Sequence, residues 1–297
     1  MLAFPSSSVD PGRSCPMSIA HRDLAVPPAA LRPRHGTGRN HSAEMLARKL
    51  AHGQPLALSA RAILDVTLGQ SVRAVSGRTL IVEKGTRPTQ IHAMVDGWAC
   101  RYAVLPDGRR RIVAFYIPGD ICDLDAFLMA GMDQSIATIT TARVATISEE
   151  TLAAFATDHP AVTEGLWWDS LMAQAVQRAW TINVGNRAAK QRLAHLLCEL
   201  YLRSEMVGLA VDGSCALPLT QFHLSDACAL TAIHTNRALQ DLRREGLLSL
   251  EARRLTIHDW AGLVDLAAFS PDYLRPASRN WGAPGLASAP RRQGCQC

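Results

Sequence analysis

The side chains of this chain best suited to specific chemistry lie between Leu219 and Leu248, where Ile233, Asn236, Arg237, Gln240 and Arg244 recur at spacings of three and four. On a helix that spacing places all five on one face. Arginine can pair bidentately with guanine O6 and N7, asparagine with adenine N6 and N7, and an exposed isoleucine can meet a thymine methyl. The set therefore suits the base edges of a DNA major groove. Any surface helix has a polar outer face, so the reading depends on the elements that hold these residues.

If a first helix opens at Gln221, then Leu224, Cys228, Leu230, Thr235 and Ala238 fall where two short, steeply crossing helices must bury side chains against each other. The small Ala229 sits at the tight turn. Thr231 is placed to N-cap the second helix, which runs to about Glu245, with Thr235, Ala238, Leu239 and Leu242 on its packed face. After Gly246, a helix stop, LLSL and LTI flank EARR, a short hairpin with Arg253 and Arg254 at its tip. A helix-turn-helix followed by a basic hairpin is a winged helix. The basic residues Arg237, Arg243, Arg244, Arg253 and Arg254 all follow the turn, and Asp226, Asp241, Glu245 and Glu251 largely flank them.

Composition sets the outer bounds. With 297 residues and 48% hydrophobic content the chain suits two domains with real cores. No run approaches the roughly 18 apolar residues of a membrane span. The first 40 residues lack a secretory apolar core, so residues 1–45 read as a disordered extension, with Met17 and Met45 as alternative starts and the cytoplasm as the expected compartment. A net charge of +5 would not by itself indicate nucleic acid. Of eight cysteines, Cys15, Cys100, Cys122, Cys198, Cys215 and Cys228 are scattered without metal-ligand spacing, and Cys295 and Cys297 form a terminal C-x-C without a scaffold. No metal site, nucleophile elbow or phosphate loop is expected, and no cofactor is assigned. Asp120, Asp123 and Asp125 read as a solvated or capping loop, so catalysis is not expected.

From about Leu58 to Ser148 short β-branched and aromatic runs alternate with turns at Gly85, Gly97, Asp107-Gly108 and Gly119. A compact β domain over 46–157 is expected, with short helices near Pro55–Leu68 and Leu124–Ala130. Pro160 then opens a long helix, 158–185 with its hinge, on which Gly165, Trp168, Met172, Ala175, Ala179 and Ile182 recur as the seam of a two-helix coiled coil. The alternative is a single helix packed only on its own β domain. Asn183 to Asn186 reads as the hinge, residues 186–206 as a further helix, 186–270 as the DNA-binding domain, and 271–297 as a flexible tail.

This order of parts, with VDGWACRY, LPDGRRRIVAF and PGDICDLDAFL in the β domain and LTAIHTNRALQDLRREGLL and RRLTIHDWAGLVDLAAFSPDYL after it, resembles the Crp/Fnr family of bacterial transcription regulators over about Leu58 to Leu274. The resemblance implies an α+β chain: an N-terminal β-roll of the cyclic-nucleotide-binding, jelly-roll kind, a long dimerisation helix, and a C-terminal winged helix-turn-helix on a palindromic site. It further implies a homodimer on double-stranded DNA, with RNA polymerase and a small-molecule effector as candidate partners. Carried over, the base-reading places fall on Ala232, Ile233, Asn236 and Arg237. Arg237 matches the family's recurrent arginine, whereas Ala232 and Ile233 replace its usual arginine and glutamate. Thr231, His234, Gln240, Arg244, Arg253 and Arg254 complete the expected DNA-facing set, with His234 and either Arg253 or Arg254 on phosphate.

The implied effector pocket departs from the cyclic-AMP-responsive pattern. Its loop reads DICDLDAF without the ribose glutamate, and the phosphate-binding Arg-Ser pair reads Gln134-Ser135. Asp120, Cys122, Asp123, Gln134 and Ser135 are the expected pocket residues, and no lysine or arginine within 112–142 replaces the missing cation. Cys15 alone does not reproduce the cysteine cluster of the iron–sulfur oxygen sensors. The expectation is thus an effector other than cyclic AMP, or none. A small-molecule or redox receptor whose winged helix docks protein is the competing reading.

Overall fold

The computed structural model describes residues 39–51, 55–129 and 131–274. Helix α1 (Arg39–Leu50) opens it, burying Met45, Leu46 and Leu50. The expected disordered extension covers residues 39–45, but α1 runs through them and buries Ala43 and Met45; residues 1–38 lie outside the described residues. Helix α2 (Leu58–Ser71) packs Ala60, Leu64 and Leu68 beneath the β-roll.

The roll is two antiparallel sheets. One runs β1 (Arg73–Val75), β7 (Ala142–Ser148), β3 (Gln90–Asp96); the other runs β2 (Leu80–Val82), β6 (Ser135–Thr138), β4 (Ala99–Val104), β5 (Arg110–Tyr116). Val82, Met94, Met132, Ile136 and Val144 fill its interior, while Ile91 and Ile147 face outward onto the helices. Asp107-Gly108 turns the β4–β5 hairpin as expected, with Gly108 at φ 80° and Asp107 Oδ1 accepting from Arg109 N at 3.0 Å. A short helix, α3 (Leu124–Leu128), lies between β5 and β6.

Helix α4 (Glu149–Asp158), capped by Ser148, leads into α5 (Pro160–Asn186), whose 27 residues span about 40 Å. Its buried face is Val162, Leu166, Asp169, Met172, Val176, Trp180 and Asn183, a helical stripe packed on the chain's own roll and α1. This corrects the expected seam. Gly165 and Met172 face inward: a Cβ at Gly165 would sit 2.7 Å from the Leu50 carbonyl oxygen, and Met172 is buried. Trp168, Ala175 and Ala179 are half-buried at the margin, while Ile182, Trp167 and Leu171 are 54%, 66% and 61% exposed. Spacing alone could not tell the inward stripe from the outward one, because both recur every three or four residues. The bend also falls later than Asn183–Asn186, at Arg187 and Ala188, since Asn183 is buried and its Nδ2 donates to Arg192 O at 3.1 Å.

Helix α6 (Ala189–Met206) is the hub of the C-terminal part. Around it lie α7 (Gln221–Cys228), α8 (Ala232–Arg244), α9 (Trp260–Ala267) and a sheet ordered β10 (Leu248–Glu251), β11 (Arg254–Ile257), β9 (Ser214–Ala216), β8 (Ala210–Val211). The free tail expected beyond residue 270 does not begin there. Instead Pro271–Leu274 forms a 3-10 turn, with Leu274 buried and the Tyr273 hydroxyl donating to Glu199 Oε2 at 2.9 Å.

Charge is buried where these parts meet. Lys49 Nζ of α1 pairs with Asp120 Oδ1 at 2.5 Å and Asp169 Oδ1 at 2.6 Å; Arg203 Nη2 of α6 pairs with Asp120 Oδ2 at 2.7 Å and donates to Phe115 O at 2.9 Å. Glu199, on the far side of Arg203, accepts from Trp180 Nε1 at 3.0 Å. Burial pushes the Asp169 and Glu199 carboxyls up, whereas at Asp120 the two cations outweigh burial and hold the carboxyl down. Lys49→Met, which keeps the stem and removes the charge, should strand the buried Asp169 carboxylate, leave Asp120 with Arg203 alone, and cost about 3 kcal/mol in denaturant unfolding. Adding Asp169→Leu should recover part of that loss.

Candidate nucleic-acid interface

The helix-turn-helix is set by two caps and one left-handed residue. Thr220 Oγ1 accepts from His223 N at the start of α7, and Thr231 Oγ1 accepts from His234 N at the start of α8. Between the helices Ala229 takes φ 51°, a turn conformation in which a small side chain is least strained. Leu224, Cys228, Thr235, Ala238, Leu239 and Leu242 are buried where the helices cross, and Leu230 is half-buried.

Burial of that stripe turns the opposite face of α8 outward. Ala232, Ile233, His234, Arg237, Gln240 and Arg244 are exposed with the N-cap Thr231, and Asn236 is half-buried. Ile233 is 74% exposed, an apolar group left in water beside polar neighbours. Among the described residues the side chains of Arg237, Gln240 and Arg253 have no hydrogen-bond or ion-pair partner, so their donors are available outward. Others are engaged internally: His234 Nδ1 lies 3.1 Å from Thr231 Oγ1, Arg244 pairs with Asp241, and Asn236 Oδ1 accepts from Gln221.

The wing is a two-residue hairpin with Ala252 at φ 46° and Arg253 at φ 62°. Arg253 stands at the tip. Arg254 does not: it begins β11 opposite Glu251, and its Nη1 donates to Ser214 Oγ at 3.2 Å. β9 pairs with β11, so the wing is anchored by a second hairpin that is absent from the sequence expectation. Its signal is Asp212-Gly213, both at positive φ between two very short strands.

The reading unit also touches the roll. Arg110 Nε of β5 pairs with Asp226 Oδ2 of α7 at 3.0 Å, and α7 packs along β5. Burial and the nearby Arg110 and Arg78 push the His223 imidazole down to about 4, which keeps it neutral as an acceptor for Thr220 N.

A cavity of about 360 Å3 lies between the roll and α5. Of the five expected pocket residues, Asp120, Cys122 and Gln134 line it. Asp123 and Ser135 face elsewhere: Asp123 is fully buried against His92, with Oδ1 on His92 N at 2.6 Å and Oδ2 on Nδ1 at 2.7 Å, and Ser135 Oγ accepts from Lys84 N. The expectation covered residues 112–142 alone, and the cavity's cations come from outside that window: Lys49, Arg203 and Arg101. Arg101 of β4 reaches it from across the sheet, where β4 pairs with β6 and Arg101 stands opposite Ile136. A search confined to the neighbouring loop misses it, because strand pairing and not sequence proximity brings it there.

Arg101 is already matched. Its Nη1 and Nη2 grip Asp125 bidentately at 2.6 and 2.8 Å, and Nη2 also donates to Cys122 O at 2.9 Å. Those interactions outweigh burial and hold its guanidinium even more firmly protonated than usual. As the residues stand, a cyclic nucleotide phosphate would have to displace a carboxylate from Arg101, with Asp133 beside it, because the other two cations lining the cavity, Lys49 and Arg203, are likewise held by Asp120 and Asp169. Among the described residues no group of three or more His, Cys, Asp or Glu could hold a metal ion. The five described cysteines are buried, and burial pushes the Cys100 and Cys215 thiols up to about 11 and Cys228 to about 12.

Comparison with known proteins agrees with this geometry. Residues 72–159 match the cyclic nucleotide-binding domain family and residues 191–266 the Crp-like helix-turn-helix domain family. The chain is 25% identical over 202 residues to the nitrogen fixation regulation protein FixK of Bradyrhizobium diazoefficiens, covering 68% of this chain and 83% of that protein. It is 23% identical to the transcriptional activator protein FnrL of Cereibacter sphaeroides, covering 66% and 80%. The solved structure of FixK2 from Bradyrhizobium japonicum superposes with a TM-score of 0.59 at 26% identity, over 67% of this chain and 98% of that one. A CRP-family transcriptional regulator from Thermus thermophilus, at 22% identity and a TM-score of 0.52 over 67% and 97% of the two chains, shares the fold.

The Arg101–Asp125 pair predicts that titration calorimetry with cyclic AMP or cyclic GMP gives no saturable binding in the micromolar range. Asp125→Ala, which frees the guanidinium, should create measurable affinity for the nucleotide. Micromolar binding to the wild type that also tightens DNA binding would refute this account.

Proposed function

Because the chain belongs to the Crp/Fnr family of transcription regulators, we propose that it works as a homodimer whose two α8 helices read successive major-groove faces of a palindromic DNA site. The observation that carries this reading is the two-sided α8: one face is sealed against α6 and α7, and the other presents Ile233, Asn236, Arg237 and Gln240 beside a wing tipped by Arg253. Arg237 is the guanine reader, Ile233 the thymine-methyl contact, and Arg253 the phosphate anchor. RNA polymerase is the partner such a regulator acts on. Its place is the cytoplasm, where the DNA is, and no helix among the described residues is long and apolar enough to cross a membrane.

The dimer contact is assigned to the outward stripe of α5, Trp167, Leu171 and Ile182 with Trp168, Ala175 and Ala179 at its margin. Three large apolar side chains more than half exposed on one long helix favour a covered face. The sensor role is assigned to an effector other than cyclic AMP, or to none, on the strength of the self-paired Arg101. The buried, poorly ionised thiols speak against redox sensing through the described cysteines.

Two measurements test the reading. Arg237→Ala should lower specific over non-specific DNA affinity by about 1–3 kcal/mol per half-site, while Arg253→Ala weakens all sequences alike and reduces the salt dependence. Equal loss of the specificity ratio in both would overturn the assignment of reader and anchor. Failure to retain any palindromic fragment at low salt would favour a winged helix that docks protein.

In sedimentation, Leu171→Glu should shift the protein from dimer to folded monomer, with a melting temperature that no longer rises with protein concentration. Met172→Glu should instead unfold the chain, because that side chain is already buried within it. A Leu171→Glu dimer as tight as wild type would remove the outward stripe from the interface.

A further inference from the structure

The carboxamides of Gln221 and Asn236 meet across the helix-turn-helix, with Gln221 Nε2 donating to Asn236 Oδ1 at 3.3 Å. Neither backbone is free to drift. Gln221 is the first residue of α7 after its Thr220 cap, Asn236 is in the second turn of α8, and the crossing between them is packed by Leu224, Thr235 and Ala238. The pair lies on the face of α8 assigned above to DNA, between Ile233 one turn earlier and Gln240 one turn later.

A carboxamide has two different ends, an acceptor oxygen and a donor nitrogen. An unrestrained asparagine can turn either towards a base, or use both on adenine. Here the oxygen is drawn to α7. We propose that Gln221 is a specificity-determining residue: by holding Asn236 Oδ1 it leaves Nδ2 as the end offered to DNA, so that Asn236 reads an acceptor on the base edge. Guanine, adenine and thymine each present such an acceptor in the major groove; cytosine presents only the N4 donor. Gln221 thus acts through Asn236 and needs no base contact of its own. The inference rests on α8 being the reading helix, and its test separates the two claims.

The test is DNA selection with the full-length protein as wild type, Asn236→Ala, Gln221→Ala and Gln221→Glu. Asn236→Ala marks the base pair concerned, where wild type should discriminate against cytosine. Glutamate at 221 can only accept, so it should draw Asn236 Nδ2 to itself and turn Oδ1 outward. Cytosine and adenine, which carry donors, should then gain over guanine and thymine at that position by roughly three- to tenfold, the scale of one neutral hydrogen bond. Gln221→Ala should flatten the preference there and leave other positions unchanged. Gln221 is exposed, so both variants should melt with wild type, and the ratio between bases does not depend on absolute affinity.

A Gln221 that only contacts phosphate or caps α7 would weaken all sequences by one factor. That result overturns the proposal, as does an Asn236→Ala variant with every base preference intact. A wild type that enriches no sequence fails differently, because it removes the reading helix itself.

Discussion

Lys49, Asp120, Asp169, Arg203 and Glu199 come from α1, the turn after β5, α5 and α6, and each is at most about a tenth exposed. Ions taken this far from water are tolerated only when partners replace the lost hydration, and here each needs a residue from another element. The cluster is therefore less a store of stability than a demand on geometry. Slide α6 along the roll and Arg203 leaves Asp120; withdraw α1 and two carboxylates face each other across one arginine. Of the possible ways to lay a winged helix against a β-roll, few satisfy all five groups. Outside the cluster Trp180 and Tyr273 extend the demand to the bend of α5 and to the 3-10 turn that follows α9.

The cavity between the roll and α5 shares that wall. Lys49, Asp120, Asp169 and Arg203 line it alongside Arg101 and Gln134. The surface a small molecule would touch and the anchor of the DNA-binding part are the same side chains. At the opposite end of the roll the Arg110–Asp226 pair is half-exposed and of little energetic weight, so orientation of α7 rests on the buried set.

On α8 the same logic works at smaller scale. Thr235, Ala238, Leu239 and Leu242 are sealed, so the outward identities are free of any packing duty and available for recognition. Within that face, donors differ in availability. Arg237 has no internal partner among the described residues, Arg244 is taken by Asp241, and Asn236 is held by Gln221. The polar members of that face are thus graded by what each side chain has already satisfied.

Local periodicity and caps make the helix-turn-helix legible in the order of residues alone: Thr231, the turn at Ala229 and the buried stripe of α8 are decided within about 15 residues, where helix geometry leaves little choice. The Asp107-Gly108 hairpin, and the resemblance carried by PGDICDLDAFL and the C-terminal strings, are legible for the same reason. What the sequence left open was every choice between equivalent faces or distant partners. Gly165 and Met172 fit an outward seam as well as an inward stripe until Leu50 and the roll claim them. Arg101, on β4, is 24 residues from Asp125, on α3, and meets it only when the roll closes. Lys49, close to what reads as a disordered extension, finds Asp120 71 residues away. Short-range order is written in spacing, because a helix or turn tests only its neighbours; the matching of buried charge is a long-range constraint, and only the closed tertiary structure brings the partners within reach.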